Sequence, residues 1–398
     1  MRNILNLKIH VYIVNLCLLV IFSVIFNKFL FVLVKTELLA VPVLIMEWIL
    51  FGLLLLQLWR YKGYLLIKIL LIVFLLKIVY YSLVLGEYNF QKGVIITELL
   101  TIHVFGSEQL RKYSAQLMSR YYNKLLILLV VSFVPFLPFY NRYYQEVHVT
   151  SFYDTYRFSG LWDLPHAFGY ILLAVMILHK KDNILLNILL FSCLLLTGVR
   201  STAIAGFVYM LYLLFFGKSR ITKLKSQAFV VIILFALFFS ANRAITFISQ
   251  EYNYHISPLL EVSISDPTYG KGRVLMNISV IDEMKKFGFI ELSIGKSATS
   301  LYNYYEKLIG IKSWPHNDFV TVLYLYGFIG LAFYIYTTIL IPLKRIRFNF
   351  KSKVFITLVL AFILAFTNGF YTYSGMYLFI LAYGVFYQEE RDDMESRK

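Results

Sequence analysis

Residues 316–342 read HNDFVTVLYLYGFIGLAFYIYTTILIP. Three polar residues open a run of Val, Leu, Tyr, Phe and Ile that carries no charge and is longer than the roughly 20 residues needed to cross a hydrocarbon core. Similar runs recur along the chain at about 10–27, 38–58, 63–85, 124–140, 227–246 and 354–371, with shorter ones at 164–178, 183–198, 201–216 and 373–388. A brief stretch at 93–106, carrying Glu98 and His103, completes twelve. The pattern predicts an all-α polytopic integral membrane protein with about 12 transmembrane helices. Composition points the same way: 60% of the 398 residues are hydrophobic and 15% are charged, against roughly a quarter charged in a soluble domain. Cys17 and Cys193 both sit in apolar runs and offer neither a disulfide framework nor a metal cluster.

A net charge of +16 would suggest a nucleic-acid partner in a soluble protein. In a chain of spans it is first a matter of sidedness, because Lys and Arg accumulate in short cytoplasmic loops. With the N-terminus inside, the inner segments hold 22 basic and 7 acidic residues, and the outer segments 14 and 13. The excess is a topology signal, so no nucleic acid is implied, and both termini are expected in the cytoplasm. Without the 93–106 span, every later loop would change side. No cleavable signal peptide is expected, since the first apolar run lacks a small-residue cleavage site.

The predicted organisation is nine transmembrane helices over 1–246, one large outer loop over 247–315, three further helices over 316–388 and a cytoplasmic tail over 389–398. The outer loop balances seven acidic against seven basic residues and carries turn signals at Asp266-Pro267 and Gly270-Lys271-Gly272. Within it, Val274, Ile278, Ile281 and Met284 fall at helical spacing, which predicts an amphipathic helix lying on the membrane or the bundle.

Gly295-Lys296-Ser297 and Gly217-Lys218-Ser219 end like phosphate-binding loops, but Ile290 and Tyr212 stand where the first glycine is required. The seven histidines show no metal-ligand spacing, so neither metal nor cofactor is expected. What remains is a set of basic and polar residues at the outer boundary. Arg200 lies in the short turn Thr197-Gly198-Val199-Arg200-Ser201-Thr202, where an arginine is costly unless it faces a polar cavity or an anion. Its planar fork matches phosphate oxygens; an interfacial helix cap would account for the same residue. Arg273 opens the amphipathic helix, whose N-terminal N–H groups favour an anion, or it is a solvated loop charge. His316, followed by Asn317 and Asp318, suits accepting a proton from a hydroxyl, or merely starts a helix in the interface.

Arg157, Trp162 and His166 belong to a stretch of mixed aromatic and polar groups, which suits sugar rings and equally suits the aromatic belt of a membrane boundary. Gly327 and Gly330, three apart on one helix face, would let a neighbouring backbone approach closely. Glu47 and Lys77 fall at similar depth in a hairpin of the second and third spans and are expected to pair.

The order Arg157-x-x-Gly160, Arg200 in a tight turn, Gly272-Arg273 in a long outer loop, and His316-Asn317 followed after nine residues by Gly327-x-x-Gly330 resembles the O-antigen polymerase and O-antigen ligase superfamily. The resemblance covers roughly 155–335. It implies a multi-pass glycosyltransferase of the bacterial inner membrane, independent of metal and cofactor, that uses undecaprenyl-diphosphate-linked oligosaccharides at the periplasmic face. On that resemblance His316, Arg200 and Arg273 are catalytic: the arginines stabilise charge on the leaving diphosphate and His316 orients or deprotonates the attacking sugar hydroxyl. Arg157, Asn317, Asp318, Trp162 and His166 are the expected substrate-binding residues. Membrane lipid and a chain-length regulator protein are the further partners it implies. Ligases of this group often continue the second glycine with Thr-His, whereas this chain reads Gly330-Leu331-Ala332, which favours a polymerase. The rivals are a ligase that transfers glycan to lipid A-core and, from another class, a lipid-linked oligosaccharide flippase with polar residues along a mid-bilayer pore.

Overall fold

The computed structural model describes residues 9–23, 40–60, 65–84, 92–133, 165–179, 184–197, 199–216, 273–309, 315–346, 352–367, 369 and 375–396. They are helical almost throughout, with no strand among them. In chain order the helices are α1 (Ile9–Ser23), α2 (Ala40–Arg60), α3 (Leu65–Val84), α4 (Lys92–Gly106), α5 (Glu108–Phe133), α6 (Pro165–Leu178), α7 (Ile184–Leu196) and α8 (Arg200–Phe216). There follow α9 (Arg273–Met284), α10 (Phe289–Ile294), α11 (Ala298–Ile309), α12 (Asp318–Ile335), a π turn at Tyr336–Leu340, α13 (Ile341–Arg345), α14 (Lys353–Thr367) and α15 (Gly375–Glu395). The expected span at 227–246 lies outside the described residues, as do Arg157 and Trp162.

Two stretches, Val41–Trp59 and Asp318–Arg345, are long and apolar enough to cross a membrane, and the other apolar helices are shorter. The brief 93–106 run is a helix buried on every side, from Val94 to Phe105, Glu98 and His103 included. A helix apolar all round belongs in the middle of a bundle. The run at 124–140 belongs to a helix that starts much earlier, at Glu108. Leu110, Leu117, Met118, Leu125 and Leu129 form its buried stripe, which the polar residues of the opposite face conceal from a hydropathy window. The helix at 373–388 likewise runs on through most of the tail, to Glu395.

At the centre stands α15, buried continuously from Met376 to Phe386 and packed against α4, α5, α6 and α14. Its charged end is clamped from outside: Arg391 meets Glu108 at 3.0 Å, and Arg111 bonds Gln388 while lying over the Tyr387 ring. The hydrogen bond from Lys112, followed by the charge of Arg391, holds the Glu108 carboxyl below its ordinary range.

The stretch 316–342 is not one rod. Tyr334 donates a hydrogen bond of 2.9 Å to Asp318, sixteen residues earlier, although sixteen residues of straight helix span about 24 Å. The two meet because the chain folds back at Gly327, whose φ of 66 and ψ of −168 interrupt the helix. Gly327 and Gly330 therefore do not share a helix face as expected. A side chain at Gly327 would collide with the Ser293–Ile294 backbone, and one at Gly295, φ 78, with the Leu325–Tyr326 backbone. The two glycines are where α10 and the fold in α12 touch backbone to backbone.

A fold of this kind frees carbonyls that an unbroken helix would use. Lys296 N–H donates to Tyr324 O at 2.8 Å. The Lys77 ammonium, from α3, donates to Leu325 O, to Ile294 O at 2.6 Å and to Lys296 O at 3.2 Å. Glu47, its expected partner, receives the Tyr377 hydroxyl instead at 3.3 Å. Farther along, the π turn leads into Pro342, which lacks an N–H and crowds the preceding turn; Ile341 N–H reaches back to Tyr336 O.

Gly327→Ala forces an L side chain into a backbone region that glycine alone adopts readily, at roughly 1–3 kcal/mol, and adds a backbone collision. The thermal unfolding midpoint of the purified protein is expected to drop by several degrees. Gly52→Ala, in α2 with open space around it, is expected to leave the midpoint unchanged or raise it, by up to about 1 kcal/mol of helix propensity. Equal midpoints for the two variants would contradict the fold at Gly327.

Candidate functional site

Two groups of the sequence-derived residues can be followed in the structure. The first sits where α6 and α8 begin. The chain leaves α7 at Leu196 and enters α8 at Arg200, so the turn between them is as tight as the sequence suggested. Thr197 Oγ1 organises it, donating to Leu194 O at 2.7 Å and accepting from Val199 N–H at 3.3 Å. Thr202 Oγ1 donates to Val199 O at 3.0 Å. Beside it, Gly169 of α6 comes so close to the Thr202 side chain that an added Cβ would lie 2.8 Å from its hydroxyl. This contact brings the start of α6, with half-buried His166, against the start of α8, with Arg200.

Sequence reasoning missed Ser201. It is 4% exposed, and no hydrogen-bond partner meets its hydroxyl among the described residues. Burying an unbonded hydroxyl costs roughly 1–3 kcal/mol, and this one lies at a helix N-terminus, where N–H groups also lack helical partners. A buried hydroxyl donor and the N–H groups of a helix N-terminus are the kinds of group that suit an anion. Of Arg200 and Arg273, the structure describes the backbone positions, at the first residues of α8 and α9.

The second group is the start of α12. Asn317 caps the helix, its side-chain oxygen accepting from Phe319 N–H at 2.9 Å and Val320 N–H at 3.2 Å. Its carbonyl is thus committed to the backbone. Asp318 is 1% exposed and bonded to Tyr334, so it lies inside the helical body and not on a rim. Thr321 Oγ1 ties the same corner to Pro315 O and Asn317 O, and His316, half-buried, stands between them in sequence. Next to this corner is a cavity of about 30 Å³, lined by Thr97, Thr101, Phe319, Tyr334, Thr338 and Tyr383 among others, with room for about one water.

The outer helices α9, α10 and α11 pack on α12. In α9 the apolar residues divide: Val280 and Met284 face inward, whereas Ile278 and Ile281 stay exposed, so the expected single stripe is two faces. Tyr304 and Tyr305 of α11 hold α9 through Ser279 O and Met276 O, and burial raises the Tyr305 phenol above its ordinary range. The Arg273 helix and the His316 corner are thus attached to the same broken helix. The Arg200 helix reaches it through α14, which touches both α8 and α12.

No protein-family model matches the chain, and no curated protein matches it.

Removing the Asn317 cap is expected to lower stability by about 1 kcal/mol in Asn317→Ala, with Asn317→Asp close to the wild type, because both amide and carboxylate oxygens cap well. Thermal midpoints of the three purified proteins measure this. Equal losses in both variants would show that the Asn317 amide nitrogen, not the capping oxygen, is what matters.

Proposed function

We propose that this chain is a polysaccharide repeat-unit polymerase of the bacterial inner membrane, taking its donor glycan from undecaprenyl diphosphate at the periplasmic face. The observation that carries the reading is the start of α8, where the buried Ser201 hydroxyl lies at a helix N-terminus whose first residue in sequence is Arg200. Diphosphate oxygens would supply the acceptors that this place lacks. The ordered set of Arg157, Arg200, Arg273 and His316 supplies the rest of the reading through the resemblance already described.

Membrane embedding is supported by the outward faces of α2 and α3. Val41, Leu44, Ile45, Trp48 and Ile49 on one, and Ile69, Ile72, Leu76 and Val79 on the other, are exposed. Apolar faces of that extent suit lipid and would be a liability in water. The proposal carries the twelve-span topology with both termini inside; for one of those spans, the second arm of α12 with its continuation, 328–345, covers about 27 Å at helical rise without the first arm.

In the proposed reaction an acceptor sugar hydroxyl attacks the anomeric carbon of the donor. The bond from that carbon to the diphosphate oxygen breaks, and the hydroxyl proton passes to His316. Arg200, Arg273 and the α8 N–H groups bear the charge that grows on the diphosphate. No redox change or metal is required for the balance.

Purified protein in lipid nanodiscs is expected to convert lipid-linked repeat units into a polymer ladder without added metal or nucleotide. Arg200→Ala and His316→Ala, inserted normally, are expected to abolish the ladder; wild-type ladders from both would overturn the assignment. Transfer to lipid A-core with no ladder would make the chain a ligase. Ser201→Ala is expected to raise the donor KM by roughly 10- to 100-fold, as for loss of a hydrogen bond to a charged group, without lowering the thermal midpoint.

A further inference from the structure

We infer that the carbonyl oxygens of Ile294, Lys296 and Leu325 form a monovalent-cation site, that the Lys77 ammonium is its tethered resident, and that this cation positions the His316–Asp318 corner. An ammonium has three N–H donors and no acceptor, and here three carbonyls meet it. The face of the Tyr326 ring, with its centroid 5.3 Å from Nζ, adds a fourth side, and Lys77 is 8% exposed. Carbonyls and an aromatic face are the groups that hold an alkali cation or a primary ammonium after its water is removed.

The site is assembled from three pieces of chain far apart in sequence. Ile294 and Lys296 end α10 and follow it, Leu325 ends the first arm of α12, and Lys77 arrives from α3. Both α10 and the first arm point their C-terminal, partially negative ends at the cation. Without a positive charge there, two sets of carbonyls would face each other across the Gly295–Gly327 contact and repel. The cation makes that approach favourable, and the fold at Gly327 is what lets Tyr334 reach Asp318. Lys77 is therefore a positioning residue for the corner and not part of its chemistry. This inference does not depend on the polymerase reading, since every readout below is independent of activity.

The test is chemical rescue. In nanodisc-embedded Lys77→Ala, backbone hydrogen exchange over 288–301 and 321–328 is expected to quicken at least tenfold, with 376–388 unchanged. Adding n-propylammonium, which replaces the missing amine and its chain, is expected to restore protection in a saturable way. Tetramethylammonium, with the same charge and no N–H, is expected to restore none. Unchanged exchange in the variant, or equal effects of the two cations, overturns the inference. A second measurement uses the unaltered protein: during reductive methylation Lys77 is expected to stay unmodified while Lys285 and Lys286, with side chains 73% and 75% exposed, react. Modification of Lys77 at their rate also overturns it, so the inference is decided even where Lys77→Ala does not accumulate.

Discussion

A helix that stops inside an apolar body must hand its last carbonyls to some donor, because no water is there to take them. That constraint, met at Gly327, organises the packing of α9, α10 and α11 on α12. Tyr324 O is taken by a backbone N–H and Leu325 O by a lysine, and both donors belong to other parts of the chain. The outer helices are attached where they are because they supply one of those donors and share the other. Shape follows from the need for hydrogen bonds as much as from apolar packing, and the glycines at 295 and 327 are small because two backbones have to pass within contact distance.

The apolar helices were legible in the sequence because hydropathy is a property of composition, and composition can be read in one dimension. The fold in α12 was not legible, because a glycine within an apolar run looks the same whether its φ is −60 or 66. Reading Gly327 and Gly330 as one face assumed a helix that the structure does not keep. Lys77 stood out as a charge within a span, yet its acceptors are carbonyls 217, 219 and 248 residues away, which no side-chain pattern encodes. Carboxylates such as Glu47 can be seen in a sequence, and free carbonyls cannot.

The candidate site shows the same division. The Thr197–Thr202 turn could be read from its two flanking apolar runs, and the helix opening at Arg273 from the glycines before it. Asn317 could be read as polar, but its role as a cap needs the geometry of the first turn. Ser201 could not be found at all from sequence, since a serine beside an arginine is commonplace and its missing partner is a fact of three dimensions. The start of α6 beside the start of α8 is likewise a consequence of one close approach, Gly169 against Thr202.

The position of α15 bears on the order of assembly. The helix that touches α4, α5, α6 and α14 follows all of them in the chain. During synthesis those four are made before the surface they share exists, and an empty slot at their centre must wait until residues 375–395 emerge. Contacts of such long sequence separation form slowly and leave apolar surface uncovered in the meantime. The slot is closed from outside by the ties of Glu108 and Arg111 to the far end of α15, a latch that can engage only when the last piece has arrived.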